Sequence, residues 1–151
     1  APAWVNSAMR MVCSVKFSVT FNGKRLEKFT PSRGLRQGDP ISPYLFLLAV
    51  EGLSSLLKNQ IKSSPVHGIK VADTAPPVSH LLFADDSLLF VKASVEGAIQ
   101  VSSLLESYCN ASGQKINLDK SLVFFSKGCS QGVKESMKTT LHVHNESLSE
   151  K

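Results

Sequence analysis

The sequence predicts an α+β fold in which short strands pack under helices. Three observations carry that expectation. Apolar residues recur at spacings of three and four over residues 4–12, 41–62 and 95–112, the period of amphipathic helices. Residues 16–21 alternate strictly and are followed by Asn22-Gly23, a strong hairpin signal. Two adjacent carboxylates, Asp85 and Asp86, stand between two short apolar runs, which reads as a second hairpin with acid at its tip. At 151 residues, with 42% hydrophobic and 19% charged content, the chain fits one domain spanning residues 1–151.

Taken in order, Trp4, Val5, Ala8, Met9 and Val12 form the stripe of a short helix preceded by Pro2. Phe17, Val19 and Phe21 share one face of the first strand, and residues 24–29 form a basic return strand. A loop with two glycines, three prolines and two arginines then opens into a long helix. Asp39 or Ser42 caps that helix, and Pro40 or Pro43 occupies its first turn, where a missing N–H costs nothing. Its stripe, Tyr44, Leu45, Leu48, Gly52, Leu53, Leu56 and Leu57, predicts a well-buried helix to about residue 62, with Glu51 as an exposed acid. Residues 63–77 are a proline-punctuated connection with a brief strand at 69–71. After the acidic hairpin, Val95, Ala98, Val101, Leu104, Leu105 and Tyr108 mark a helix that Gly113 stops. Extended segments are expected around Ile116, Leu118 and residues 122–125, then a weak polar helix over 132–141 and a tail with no stop signal.

The runs Leu81-Leu82-Phe83 and Leu88-Leu89-Phe90-Val91 suit strands covered on both faces. The turn between them suits aspartate, which tolerates positive φ. Two buried carboxylates side by side are costly unless a cation neutralises them, and a divalent metal is the natural partner. Successive side chains of an extended chain point to opposite faces, so one aspartate is the principal ligand. By itself Asp-Asp also reads as a polar turn. In the loop, Gly34 and Gly38 let backbone approach a ligand, amides at a helix start attract phosphate, and Arg33, Arg36 and Gln37 add donors. The same loop also serves as a plain connection.

The formal charge is +5, concentrated before Gly38 in Arg10, Lys16, Lys24, Arg25, Lys28, Arg33 and Arg36, so a polyanion meets that end first. Cys13, Cys109 and Cys129 have neither disulfide nor zinc spacing, and a reducing compartment is expected. His142 and His144 share a strand face without completing a metal set. No apolar run reaches the roughly 18 residues of a membrane span, no membrane partner is expected, and the first residues are not a signal peptide. The absence of an initial methionine suggests a piece of something longer.

Three motifs in order carry a family resemblance: the loop Gly34-Leu35-Arg36-Gln37-Gly38-Asp39-Pro40-Ile41-Ser42-Pro43, then Phe83-Ala84-Asp85-Asp86, then Gly113-Gln114-Lys115-Ile116-Asn117-Leu118-Asp119-Lys120-Ser121. Together they resemble the palm of non-LTR (LINE-type) retrotransposon reverse transcriptases, particularly plant ones, over nearly the whole chain. The resemblance implies a palm-like antiparallel sheet packed on helices, and RNA-directed DNA synthesis from an RNA template, a DNA primer and deoxynucleoside triphosphates. It implies a pair of Mg2+ ions roughly 3.5–4 Å apart. Asp85 matches the principal metal ligand, Asp86 its less direct neighbour, and Gly34, Arg36, Gln37 and Gly38 the loop that contacts template and nucleotide. Lys120 matches the lysine that protonates departing pyrophosphate, or is a surface lysine after a turn. Family members carry another catalytic aspartate on a strand upstream of residue 1, with fingers before and a thumb after. The isolated chain is therefore expected to be incomplete and not to polymerise without the rest of the retroelement polyprotein. A group II intron maturase-type palm shares these motifs, and a non-catalytic remnant that at most binds nucleic acid is the alternative of a different class. A nuclear or organellar setting is implied, with no address signal to choose between them.

Overall fold

A computed structural model describes residues 2–63 and 68–146. The elements run α1 (Pro2–Cys13), β1 (Thr20–Phe21), β2 (Lys24–Arg25), α2 (Ser42–Ser63), β3 (His80–Phe83), β4 (Asp86–Leu89), α3 (Val95–Ser112), β5 (Leu122–Val123), α4 (Gln131–Leu141) and β6 (Asn145–Glu146). The class is α+β, as expected. Among the described residues the strands pair two by two: β1 with β2 and β3 with β4 antiparallel, β5 with β6 parallel. Contacts divide the chain into two compact units, Ala1–Leu47 and Leu48–Lys151. Part of the expected connection, residues 64–67, and the tail 147–151 lie outside the described residues.

In the first unit, α1 forms where the periodicity places it and buries Ala8, while Trp4, Val5, Met9 and Met11 remain exposed. The Asn22-Gly23 turn has φ of 48° and 76°, positive at both central positions as a type I′ hairpin requires. Phe21 pairs with Lys24 and Thr20 with Arg25, and the Leu26 N–H donates to the Val19 carbonyl. Farther from the turn, Phe17 and Phe29 exchange both backbone hydrogen bonds. The return strand thus carries one extra residue between Leu26 and Phe29, which is a β-bulge.

The second unit holds the core. Leu53 and Leu57 of α2 pack with Leu104 and Tyr108 of α3, and Leu82, Leu89 and Leu105 close over them. Leu57 is only 3% exposed. Each such side chain contributes about 1.5–3 kcal/mol by leaving water. The stripe of α2 is narrower than expected: Leu53, Ser54 and Leu57 are buried, whereas Tyr44, Leu48 and Leu56 are exposed. A helical stripe shows which face is apolar, but burial needs a partner, and among the described residues of α2 the core cluster receives only the Leu53–Leu57 turn. Glu51 is exposed, as expected, and lies 3.9 Å from Lys58.

Helix α3 begins at Ser94, whose hydroxyl accepts from the Gly97 N–H, and ends at Gly113 with φ 72° and its N–H donating to the Cys109 carbonyl. Ala98, at 1% exposure, Val101, Leu104 and Tyr108 make its inner face, as the spacing predicts, while Val95 stays exposed. Helix α4 packs on α3 and buries Met137. Lys134 and Lys138 both bind the Glu146 carboxylate and tie α4 to β6; the Lys138 hydrogen bond above all, then Lys134, holds that carboxyl below its ordinary value against partial burial. Ile69 and Val78 form the short pairing expected near residue 70, and a Cβ on Gly68 would lie 2.4 Å from the Val78 carbonyl oxygen, so the approach requires glycine.

Two further expectations fail here. His142 and His144 do not share a strand face, because His142 is the left-handed cap of α4, with φ 55°, and β6 starts only at Asn145. The acidic hairpin is not covered on both faces. Cross-strand partners share a face, and His80↔Leu89 and Leu82↔Ser87 point inward while Leu81↔Leu88 and Phe83↔Asp86 point outward. Leu81, Leu88 and Phe83 are exposed, Phe83 at 82%. A continuous apolar run cannot distinguish a strand covered twice from one covered once.

The Tyr108 hydroxyl is buried and has no hydrogen-bond partner among the described residues. Burial pushes its pKa up. Since an unsatisfied buried hydroxyl costs about 1–3 kcal/mol, Tyr108→Phe is expected to raise the urea midpoint by about 1 kcal/mol equivalent. An unchanged or lower midpoint would show that the hydroxyl is satisfied.

Candidate functional site

The two carboxylates sit together on a two-residue turn. Phe83 pairs with Asp86, so Ala84 and Asp85 are the central turn residues and Asp86 opens β4. Positive φ falls on Ala84, at 51°, and not on either aspartate as the residue types suggested. Positive φ at the first central position alone is the type II′ sense, which matches the twist of flanking strands and favours glycine there. An alanine in that region carries about 1–2 kcal/mol of strain. Asp85 and Asp86 are both exposed, so the predicted cost of burying paired charges does not arise.

The carboxylates remain inequivalent. Asp86 is held in the ladder opposite Phe83, on the open apolar face, while Asp85 occupies the turn itself. Hard carboxylate oxygens suit magnesium, which keeps several waters and takes only one or two protein carboxylates beside substrate phosphates. Among the described residues no group of three His, Cys, Asp or Glu side chains converges as a metal set. The donors present fit a magnesium whose shell is completed by other ligands, and do not fit an all-protein cage.

Gly34 and Gly38 have φ of 86° and 84°, and a Cβ at either would meet nothing within 4 Å. Both glycines answer to backbone conformation, not crowding. The Arg36 carbonyl accepts from the Asp39 N–H at 3.4 Å, and Asp39 Oδ1 accepts from the Ile41 N–H at 3.2 Å, so Asp39 supports the entry to α2. Arg33, Arg36 and Gln37 are exposed. This loop lies in the first unit, and the hairpin and Lys120 in the second. Lys120 closes a turn in which its N–H donates to Asn117 at 3.2 Å, and its side chain is exposed.

Sequence reasoning missed a polar network at the base of the hairpin. His80 Nε2 lies 3.0 Å from the Ser54 hydroxyl and Nδ1 lies 2.8 Å from the Ser79 hydroxyl. Both serines are buried. A neutral imidazole donates from one nitrogen and accepts at the other, which satisfies both hydroxyls. Burial first, then the Lys58 cation, hold the imidazole below its ordinary pKa of 6.5, against a smaller opposing pull from Glu51. The available signal was Ser54 itself, a hydroxyl between Leu53 and Leu57 on the buried turn of α2.

Two measurements check this geometry. Ala84→Gly removes the left-handed strain and is expected to raise the thermal midpoint, by about 1 kcal/mol equivalent; a lower midpoint would contradict the observed turn. The unfolded chain protonates His80 near pH 6.5 while the folded chain resists protonation to lower pH. The stability from neutral His80 is therefore present above that value and is lost as pH falls below it, towards the lowered folded-state value. The difference in unfolding free energy between the native chain and His80→Asn is expected to shrink from about pH 7.5 to 5.5. Parallel pH profiles would exclude a depressed His80.

Comparison with known proteins places this architecture. An uncharacterized mitochondrial protein of Arabidopsis thaliana is 47% identical over 76 residues, covering 50% of this chain and 62% of that protein. A retrovirus-related Pol polyprotein from a type-2 retrotransposable element of Drosophila melanogaster is 32% identical over 111 residues, 74% of this chain and 10% of the polyprotein. The chain spans less than two thirds of either relative. Residues 2–144 match the reverse transcriptase (RNA-dependent DNA polymerase) family, and the chain belongs to that family.

Proposed function

We propose that this chain supplies the carboxylate hairpin of a magnesium-dependent reverse transcriptase of a non-LTR retroelement, working within a longer polypeptide. The observation that carries the reading is the Asp85-Asp86 pair exposed on a strained two-residue turn, in a chain of the reverse transcriptase family. A turn of this kind offers carboxylate oxygens to solvent without burying charge. It also leaves their remaining metal positions to substrate phosphates and to a further carboxylate.

In this reading Asp85 and Asp86 hold magnesium, which stabilises charge on the attacking and leaving oxygens of nucleotidyl transfer. Gly34 and Gly38 keep the loop backbone open to the template and incoming nucleotide, and Arg36 and Gln37 donate to them. Lys120 offers a proton to departing pyrophosphate from an exposed turn. The RNA template, DNA primer and deoxynucleoside triphosphates are the substrates, and the rest of the retroelement polyprotein completes the palm-like sheet.

Primer extension on an RNA template with magnesium tests the assignment. The longer polypeptide is expected to extend, and Asp85→Asn to reduce extension about a hundredfold or more. The chain alone is expected not to extend, because two carboxylates do not retain a metal pair. Extension indifferent to Asp85→Asn would sink the site, and robust extension by the chain alone would show that no further carboxylate is needed.

A further inference from the structure

Asp85 and Asp86 stand at the tip of a hairpin whose placement is decided at its other end. His80 opens β3, three residues before Phe83, so it lies about 10 Å along the strand from the Phe83–Asp86 pair. The two ring nitrogens serve different elements. Nδ1 bonds the hydroxyl of Ser79, the preceding residue, and fixes the rotation of the ring. Nε2 bonds the Ser54 hydroxyl, 26 residues away in sequence, and so ties the hairpin to α2.

The apolar contacts under the hairpin cannot supply the same precision. Leu82 and Leu89 pack on Leu53, Leu57, Leu104 and Tyr108, but hydrophobic contact is non-directional. A hydrogen bond of 3.0 Å with both groups in a packed setting sets distance and direction together. Side chains that meet a metal and its substrate must be held to within about 0.5 Å. We propose that neutral His80, through its Nε2 bond to the Ser54 hydroxyl, is a positioning residue for the Asp85-Asp86 pair, with Ser79 orienting the ring. The proposal rests on the assignment of that pair to magnesium.

Protonation is the natural way to break this tie. In the neutral ring one nitrogen donates and the other accepts, so one serine hydroxyl donates to the ring. Adding a proton makes both nitrogens donors, and that hydroxyl must turn away from the ring although both serines are buried. The groups facing the ring are Lys58 and Glu51 from α2, which act in opposite senses, and uncharged Leu89 from β4. Helix α3 brings Tyr108 to the core under the hairpin, and its raised pKa keeps that hydroxyl neutral. Burial and Lys58 outweigh Glu51, so the tie is intact above the ordinary imidazole value of 6.5 and is lost as pH falls through the lowered one.

Two amide substitutions separate the two bonds. His80→Gln carries a neutral amide to where Nε2 stood and keeps the tie to Ser54, whereas His80→Asn reaches only Ser79. In the longer polypeptide, His80→Asn and Ser54→Ala are each expected to raise the half-saturating magnesium concentration for primer extension about tenfold or more. His80→Gln is expected to stay near the native value. The ratio of native to His80→Gln extension rates is expected to be flat above about pH 7 and to fall below about pH 6.5, because every other titration is common to both. A second readout needs no activity: in the metal-free 151-residue chain, the Asp86 amide resonance is expected to shift in step with the His80 ring titration and to stay still in His80→Gln. Circular dichroism confirms that each variant folds. Native-like magnesium dependence in His80→Asn, rescue by Asn as complete as by Gln, a rate ratio independent of pH, or an Asp86 amide indifferent to the ring would each overturn the positioning role. Extension indifferent to Asp85→Asn would sink the catalytic reading and the magnesium comparison with it, while the amide titration would still decide whether His80 positions the pair.

Discussion

The placement of the acidic turn depends on one contact, the insertion of Leu82 and Leu89 over Leu53, Leu57, Leu104 and Tyr108. Strands of four residues joined by a tight turn are marginal in water by themselves. What fixes β3 and β4 is the apolar floor that α2 and α3 provide. Because side chains alternate, that floor also fixes which half of the hairpin looks outward. A one-residue slip would turn Leu81 and Leu88 inward and carry Asp86 to the other face.

His80 gives the same register a polar lock. Its ring joins Ser79 on its own segment to Ser54 on α2, and buried hydroxyls bonded in this way tolerate little displacement. Apolar packing alone accepts small sliding movements, whereas two short hydrogen bonds to one ring do not. The hairpin is therefore anchored chemically at its base and left open at its tip. That division allows the outer face, with Phe83 and Asp86, to stay exposed without loosening the ladder.

Much of this arrangement was legible in the sequence. The helices around Trp4–Val12, Leu53–Leu57 and Ala98–Tyr108 follow from spacing, and Asn22-Gly23 and Gly113 act as local signals because their conformations need no distant partner. Residues whose state depends on distant partners were harder. The apolar runs around Asp85 looked covered on both faces, and Tyr44 and Leu48 looked buried, because hydrophobicity records a preference and not the presence of a neighbour. The parallel pairing of Leu122-Val123 with Asn145-Glu146 joins segments too far apart for any local pattern to announce. The site was legible as a motif: the Asp85-Asp86 turn was expected, while Ser54 and Ser79, which secure it, look like ordinary serines in sequence.

The left-handed Ala84 shows how packing at the base of the hairpin reaches its tip. Backbone strain of this kind persists only where surrounding structure over-determines it. Here the surroundings are the Phe83↔Asp86 pairing on one side and the packed, hydrogen-bonded base of the hairpin on the other. With the strands held, the two turns that suit a two-residue connection, types I′ and II′, both place positive φ on the first central residue, here Ala84. Asp85 then takes the second position, outside the ladder, while Asp86 is committed to it. Two neighbouring carboxylates so placed cannot exchange roles, because moving Asp85 into the ladder would require the register change that Leu82, Leu89 and His80 oppose. The inequivalence of the pair is thus set by packing at the far end of the hairpin, before any metal or substrate arrives.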